Sequence, residues 1–175
     1  DAHFYGSAGA LDVAAPVVGL ASTPDGKGYW EVAADGGIFA FGDAQFDGSM
    51  GGRPLNRSVV GMAATPDGQG YWEVAADGGV FAFGDAAFVG SPTSAQLASP
   101  IVGISATPDG QGYWEVAGDG GVFAYGDAGY HGSTGAATLN APVAGMAPDP
   151  GADGYWLLSL DGGVFAFGTP FYGAG

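Results

Sequence analysis

Three copies of one triplet, Tyr29-Trp30-Glu31, Tyr71-Trp72-Glu73 and Tyr113-Trp114-Glu115, carry the residue types best suited to binding chemistry in this sequence. A phenol or indole offers an apolar face on which a sugar ring can stack, and a carboxylate beside it accepts hydrogen bonds from hydroxyl groups. All nine residues are therefore ligand-binding candidates. The same pattern has a structural reading, in which Tyr and Trp at strand spacing form a core and Glu is solvated or bonded to backbone. A carboxylate inside an aromatic strand is costly when it is buried without a partner. The fourth copy reads Tyr155-Trp156-Leu157, without the acid.

Other reactive groups form no recognisable set. Glu73 and Asp85 are the pair on which a carboxylate-based glycoside hydrolase would rest. No Gly-x-Ser-x-Gly elbow, His-Glu-x-x-His or phosphate loop occurs, and His3 and His131 occupy different positions of the repeat. Zero cysteine removes thiol catalysis and Cys-ligated metals. Most acidic residues recur in step: Asp25, Asp67 and Asp109; Asp35, Asp77, Asp119 and Asp161; Asp1, Asp43, Asp85 and Asp127. Asp at such places bonds neighbouring backbone and tolerates tight bends, and no Asp-x-Asp-x-Asp-Gly calcium string is present. The expectation is no catalytic residue, no metal and no cofactor.

The elements that must position these residues follow from the repeat. Trp30, Trp72, Trp114 and Trp156 are each 42 residues apart, which defines units at residues 16–49, 58–91, 100–133 and 142–175, a single repeat domain over 1–175. Residues 1–7, DAHFYGS, match Asp43–Ser49 and read as the outer strand of a preceding unit. With 36 glycines, 11 prolines and no stretch free of both longer than seven residues, ordinary helices are excluded. Each unit divides at turn signals into four short apolar runs, in the second unit Val59–Ala64, Gly70–Ala75, Gly79–Gly84 and Ala86–Gly90. Pro66-Asp67-Gly68 supplies the first turn and Asp77-Gly78-Gly79 the second. Val13, Leu55, Leu97 and Leu139 share one position in the otherwise divergent connecting segments and read as packing anchors.

Alternation along the second and third runs leaves both faces of each sheet largely apolar, so each needs a cover on both sides. Identical units at fixed spacing cover one another by stacking. The predicted fold is all-β, a β-propeller of four-stranded antiparallel blades, with the alternative of one part of a larger propeller completed by oligomerisation. Four copies of the first three runs stand beside five of the last, at Phe4-Tyr5-Gly6 and finally at Phe171-Tyr172-Gly173. The surplus outer strand is expected to fray or to make a homo-oligomer by extending a neighbouring blade.

The chain carries 3 basic and 18 acidic residues, a formal net charge of -15. Such a field repels phosphate backbones and anionic headgroups, which excludes nucleic acid as a partner. No apolar run reaches the roughly 18 residues that span a bilayer, so no membrane insertion is expected.

The string GYWEVAADGGVFAFGDAAFVGS resembles 42-residue repeats of secreted and cell-surface proteins of high-GC Gram-positive (actinobacterial) bacteria, often found beside cell-wall hydrolase or esterase modules, and it covers the whole chain. The length of the meander also resembles small lectin propellers of the tachylectin type, which have five blades and bind N-acetylated sugars between them. These resemblances imply a secreted or cell-surface location. The leading expectation is an extracellular, non-enzymatic module that recognises neutral glycan or cell-wall polysaccharide through repeated inter-blade sites. A structural or adhesive protein-interaction module and a carboxylate-based glycoside hydrolase are the alternatives.

Overall fold

The computed structural model describes residues 3–151 and 153–173. Asp1, one of the repeated acidic positions, and the last two residues of the fourth unit lie outside them. Twelve strands form four separate three-stranded antiparallel sheets, each a meander in chain order. The first sheet holds β1 (Val17–Ser22), β2 (Gly28–Ala33) and β3 (Ile38–Gly42). The second holds β4 (Val59–Ala64), β5 (Gly70–Ala75) and β6 (Val80–Gly84). The third holds β7 (Ile101–Ala106), β8 (Tyr113–Ala117) and β9 (Val122–Tyr125), and the fourth β10 (Val143–Pro148), β11 (Tyr155–Ser159) and β12 (Val164–Phe167). These sheets group into two compact units. One contains the residues up to Ala76 together with Val80–Phe88; the other contains Asp77–Gly79 and the residues from Val89 onward.

The turns form where Pro, Asp and Gly place them. In the second sheet Gly68, at φ +73, donates its N–H to the Thr65 carbonyl at 2.9 Å, closing the turn between β4 and β5. The Thr65 hydroxyl accepts from Gly70 N–H at 3.0 Å and donates to Asp67 at 2.8 Å, so this turn carries its own polar network. In the register of β4, β5 and β6, Trp72 stands between Ala63 and Ala82. Two small neighbours leave room for an indole to lie against the sheet. Each sheet also carries one irregularity near the start of its first strand, between Val17 and Gly19 and at the corresponding places.

Each sheet has a face bearing its Trp and a face bearing its Tyr. In the first compact unit the Trp face of the first sheet packs on the Tyr face of the second, where Trp30, Val32 and Ile38 meet Val59, Met62 and Tyr71. In the other unit Trp114, Val116 and Val122 meet Val143, Tyr155 and Leu157 in the same way. Leu55 and Leu139 pack against these clusters, which is the anchoring role their shared position implied.

Among the described residues, the fourth strand expected in each unit does not form a ladder. Gly42, Gly84 and Gly126 end or follow the third strand in the left-handed region, at φ +70, +67 and +68. The chain that follows, such as residues 44–48 or 128–132, has no strand partner and is bound through side chains instead of a neighbouring strand's backbone. These segments are termed tails below.

Candidate functional site

The repeated Trp and Tyr side chains hold the tails. Trp30 Nε1 donates to the Gln45 carbonyl at 2.6 Å. The Tyr71 hydroxyl, from the next sheet, accepts from Asp47 N–H at 3.1 Å and donates to the Gly48 carbonyl at 2.6 Å. Burial is the main reason the Tyr71 phenol is pushed up to about 12, so it stays neutral and keeps its proton for Gly48. In the other compact unit Trp114 Nε1 donates to Gly129 O at 2.7 Å, while the Tyr155 hydroxyl accepts from His131 N–H at 3.2 Å and donates to Gly132 O at 2.7 Å. Residues 3–8 dock on the first sheet by the same rule. Tyr29 binds Tyr5 N–H and the Gly6 carbonyl, and Glu31 accepts from Ala8 N–H at 3.1 Å.

One residue of each tail is left facing outward between these two clamps. Phe46 sits between the carbonyl held by Trp30 and the amide held by Tyr71, and Tyr130 sits between the groups held by Trp114 and Tyr155. The same position of the repeat is occupied by Phe4, Phe46, Phe88, Tyr130 and Tyr172, and all five are exposed, by 59–83%. Singly, an exposed ring needs no explanation. Five at one position of a repeat form a series, with the backbone pinned on both sides at Phe46 and Tyr130 and on at least one side at Phe4, Phe88 and Tyr172. The period of 42 contained this signal, but reading these residues as strand placed their rings in a sheet instead of at the surface.

Of the nine residues singled out from the sequence, Trp30, Trp72, Trp114, Tyr71, Tyr113, Glu73 and Glu115 are fully buried, and Tyr29 and Glu31 are half-buried. Trp30 meets Tyr71 with ring centroids 5.6 Å apart, and Trp114 meets Tyr155 at the same distance. In this conformation the buried rings offer no face to a ligand; their contribution to the surface is to fix the tails. Glu73 is equally enclosed, whereas Asp85 lies exposed just beyond β6.

The three glutamates differ in their partners. Glu31 and Glu73 each accept one tail amide, from Ala8 and from Met50 at 3.4 Å. The corresponding position before Glu115 is Pro92, which has no N–H to give. Neither Glu115 carboxylate oxygen has a hydrogen-bond partner, and Glu73 Oε2 has none either. Burial pushes the Glu73 carboxyl up to about 8, with Met50 N–H and Arg53 opposing and Asp35 adding to the shift. Burial likewise pushes Glu115 up to about 8, with the Asp77 charge adding to it.

The repeated aspartates are spent on turns. Asp35, Asp77, Asp119 and Asp161 each accept the backbone N–H two residues on, at 2.9–3.2 Å. Among the described residues no group of three or more His, Cys, Asp or Glu side chains is arranged to hold a metal ion. Two of the open clefts in the second compact unit carry acidic residues. One, of about 310 Å³, is lined by Ser99, Asp119, Leu139 and Asn140 among others; the second, of about 500 Å³, is lined by Thr107, Asp109, Asp127 and Asp153. Both are open to solvent, and each mixes polar with apolar lining.

Fold and surface together define an all-β repeat protein in which each three-stranded sheet presents one outward aromatic ring from a side-chain-clamped tail. The chain matches no protein-family model and no curated protein.

Proposed function

We propose that this chain is an extracellular, non-enzymatic binding module for neutral glycan or cell-wall polysaccharide, with its sheets as the blades of a propeller-type array. The observation that carries the reading is the series of outward rings at Phe46, Phe88 and Tyr130, held on backbone pinned by Trp and Tyr side chains. A pinned ring loses little freedom when a sugar stacks on it, and repetition turns weak single contacts into avidity on a polymer. The net charge of -15 favours an uncharged ligand over an anionic one. The Tyr and Trp residues of the triplets, with Glu31 and Glu73, support the site from beneath by fixing the tails.

Binding to chitin oligomers, peptidoglycan and neutral surface polysaccharides, measured by glycan array and calorimetry, tests this. Phe46→Ala, Phe88→Ala and Tyr130→Ala are each expected to weaken binding by about 1 kcal/mol while leaving the fold intact, and the triple variant is expected to lose polymer binding. Full retention of binding in the triple variant overturns the assignment of the rings. An array with no neutral glycan bound leaves the structural or adhesive reading in front.

A further inference from the structure

Every sheet junction described above joins a Trp face to a Tyr face. Residues Trp30, Val32 and Ile38 of one face meet Val59, Met62 and Tyr71 of the other, and Trp114, Val116 and Val122 meet Val143, Tyr155 and Leu157. Among the described residues, two such faces keep apolar side chains exposed, one in each compact unit: the Tyr face of the first sheet, where residues 3–8 hold Tyr29 and Glu31 but leave Val17 and Leu20 open, and the Trp face of the fourth. On the Tyr face of the first sheet, Leu20 is 60% exposed, while its counterpart in the second sheet, Met62, is 8% exposed. Val17 on the same strand is exposed where Val59 and Val143 are buried. On the Trp face of the fourth sheet, Leu158 is 49% exposed where Val32, Val74 and Val116 are fully buried, and Leu160 is 72% exposed. There Ala147, Trp156, Leu158 and Val164 line an apolar depression of about 350 Å³.

These two surfaces are the separate halves of a junction that the protein makes repeatedly. We propose that the Trp face of the fourth sheet of one copy receives the Tyr face of the first sheet of a second copy, so that the chain associates head to tail. The occupant is a second copy because in both junctions the same three positions of a Tyr face meet the Trp face, as Val59, Met62 and Tyr71 and as Val143, Met146 and Tyr155, and the first sheet presents those positions as Val17, Leu20 and Tyr29. Such a contact is heterologous: each copy contributes a different surface and keeps one free for the next. Leu20 and Leu158 pass from exposed to buried as it forms. This inference is independent of the glycan reading, since neither face includes the outward rings at Phe46, Phe88 or Tyr130.

Light scattering on the full chain over a wide range of concentration tests it, with Leu20→Glu and Leu158→Glu as variants. Both substituted positions are on the surface, and circular dichroism and tryptophan emission check that the fold is kept. The unaltered chain is expected to exceed the mass of one copy, and each variant alone to fall to one copy. Mixing the two variants leaves one intact pair of faces, so a one-to-one complex of two copies and nothing larger is expected. An unaltered chain that stays at one copy throughout overturns the proposal, whether because its own two faces meet or because neither associates. Association that survives one of the two substitutions overturns it in favour of like-with-like pairing.

Discussion

Glu115 shows how one residue elsewhere in a repeat changes the chemistry of a side chain. Glu31 and Glu73 each receive a tail amide, but Pro92 removes that donor from Glu115. A buried carboxyl whose folded pKa is raised favours the folded state while it is protonated. That contribution is complete below its ordinary value of 4.5 and is lost as pH rises through about 8. Glu73 acts in the same direction and over the same interval. The turn aspartates act oppositely: the side-chain and backbone hydrogen bonds from Lys27 hold Asp25 down at about 2, so its contribution is lost as pH falls from 3.8 through that value. Thermal stability is therefore expected to peak at mildly acidic pH and to decline on the alkaline side. Glu115→Gln keeps the shape and removes the charge. It is expected to flatten the alkaline decline and to raise stability near pH 9 by about 1–3 kcal/mol, as measured by urea unfolding across pH. Pro92→Ala restores an amide at this position and is expected to move the midpoint of that decline to lower pH. A decline unchanged in both variants would place its origin elsewhere.

At the scale of the element, the tail stands where a fourth strand was expected, and its stability rests on side chains. Replacing Tyr71 with Phe removes a hydroxyl that serves both Asp47 N–H and the Gly48 carbonyl. The expected loss is about 1–3 kcal/mol, with faster hydrogen exchange confined to residues 46–50. Trp72→Ala removes a fully buried indole as well as its bond to the Ala87 carbonyl, and is expected to cost about 3–5 kcal/mol. Gly132 closes its tail at φ +124, and a Cβ added there would lie 2.8 Å from Phe167 Cδ1. Backbone and ring both oppose a side chain at that point, so Gly132→Ala is expected to be more destabilising than Tyr71→Phe in the same unfolding assay.

Two predictions belong to the whole molecule. The net charge of -15 opposes compaction, so raising salt to about 1 M, where the screening length falls to roughly 3 Å, is expected to raise the thermal midpoint by several degrees. The second concerns the docking place on the first sheet. Residues 3–8 already occupy Tyr29 and Glu31, the groups that a tail arriving with another copy's fourth sheet would use. Deleting residues 1–7 empties the Tyr29 hydroxyl and is expected to strengthen head-to-tail association in light scattering. Weaker association after the deletion would mean that these residues themselves bridge copies.

The sequence by itself determined the repeat, the all-β class, the turns and, to within a residue or two, the places of three strands per unit, because these depend on neighbours in the chain. Pro, Asp and Gly set bends locally, and alternation sets which residues share a face. It also left both roles of the Tyr-Trp-Glu triplets open, since a ring that stacks on a sugar and a ring that fills a core have the same spacing along a strand. Only the tertiary structure decided that Trp30, Trp72 and Trp114 are core, because burial depends on which sheet lies over which. It likewise replaced the fourth strand by a tail. Whether an extended segment joins a ladder depends on where its amides and carbonyls find partners, and here Tyr hydroxyls and Trp N–H groups from elements 14–24 residues away supply several of them. The outward rings follow from that same exchange, since a segment bound by side chains on both sides leaves the residue between them facing solvent.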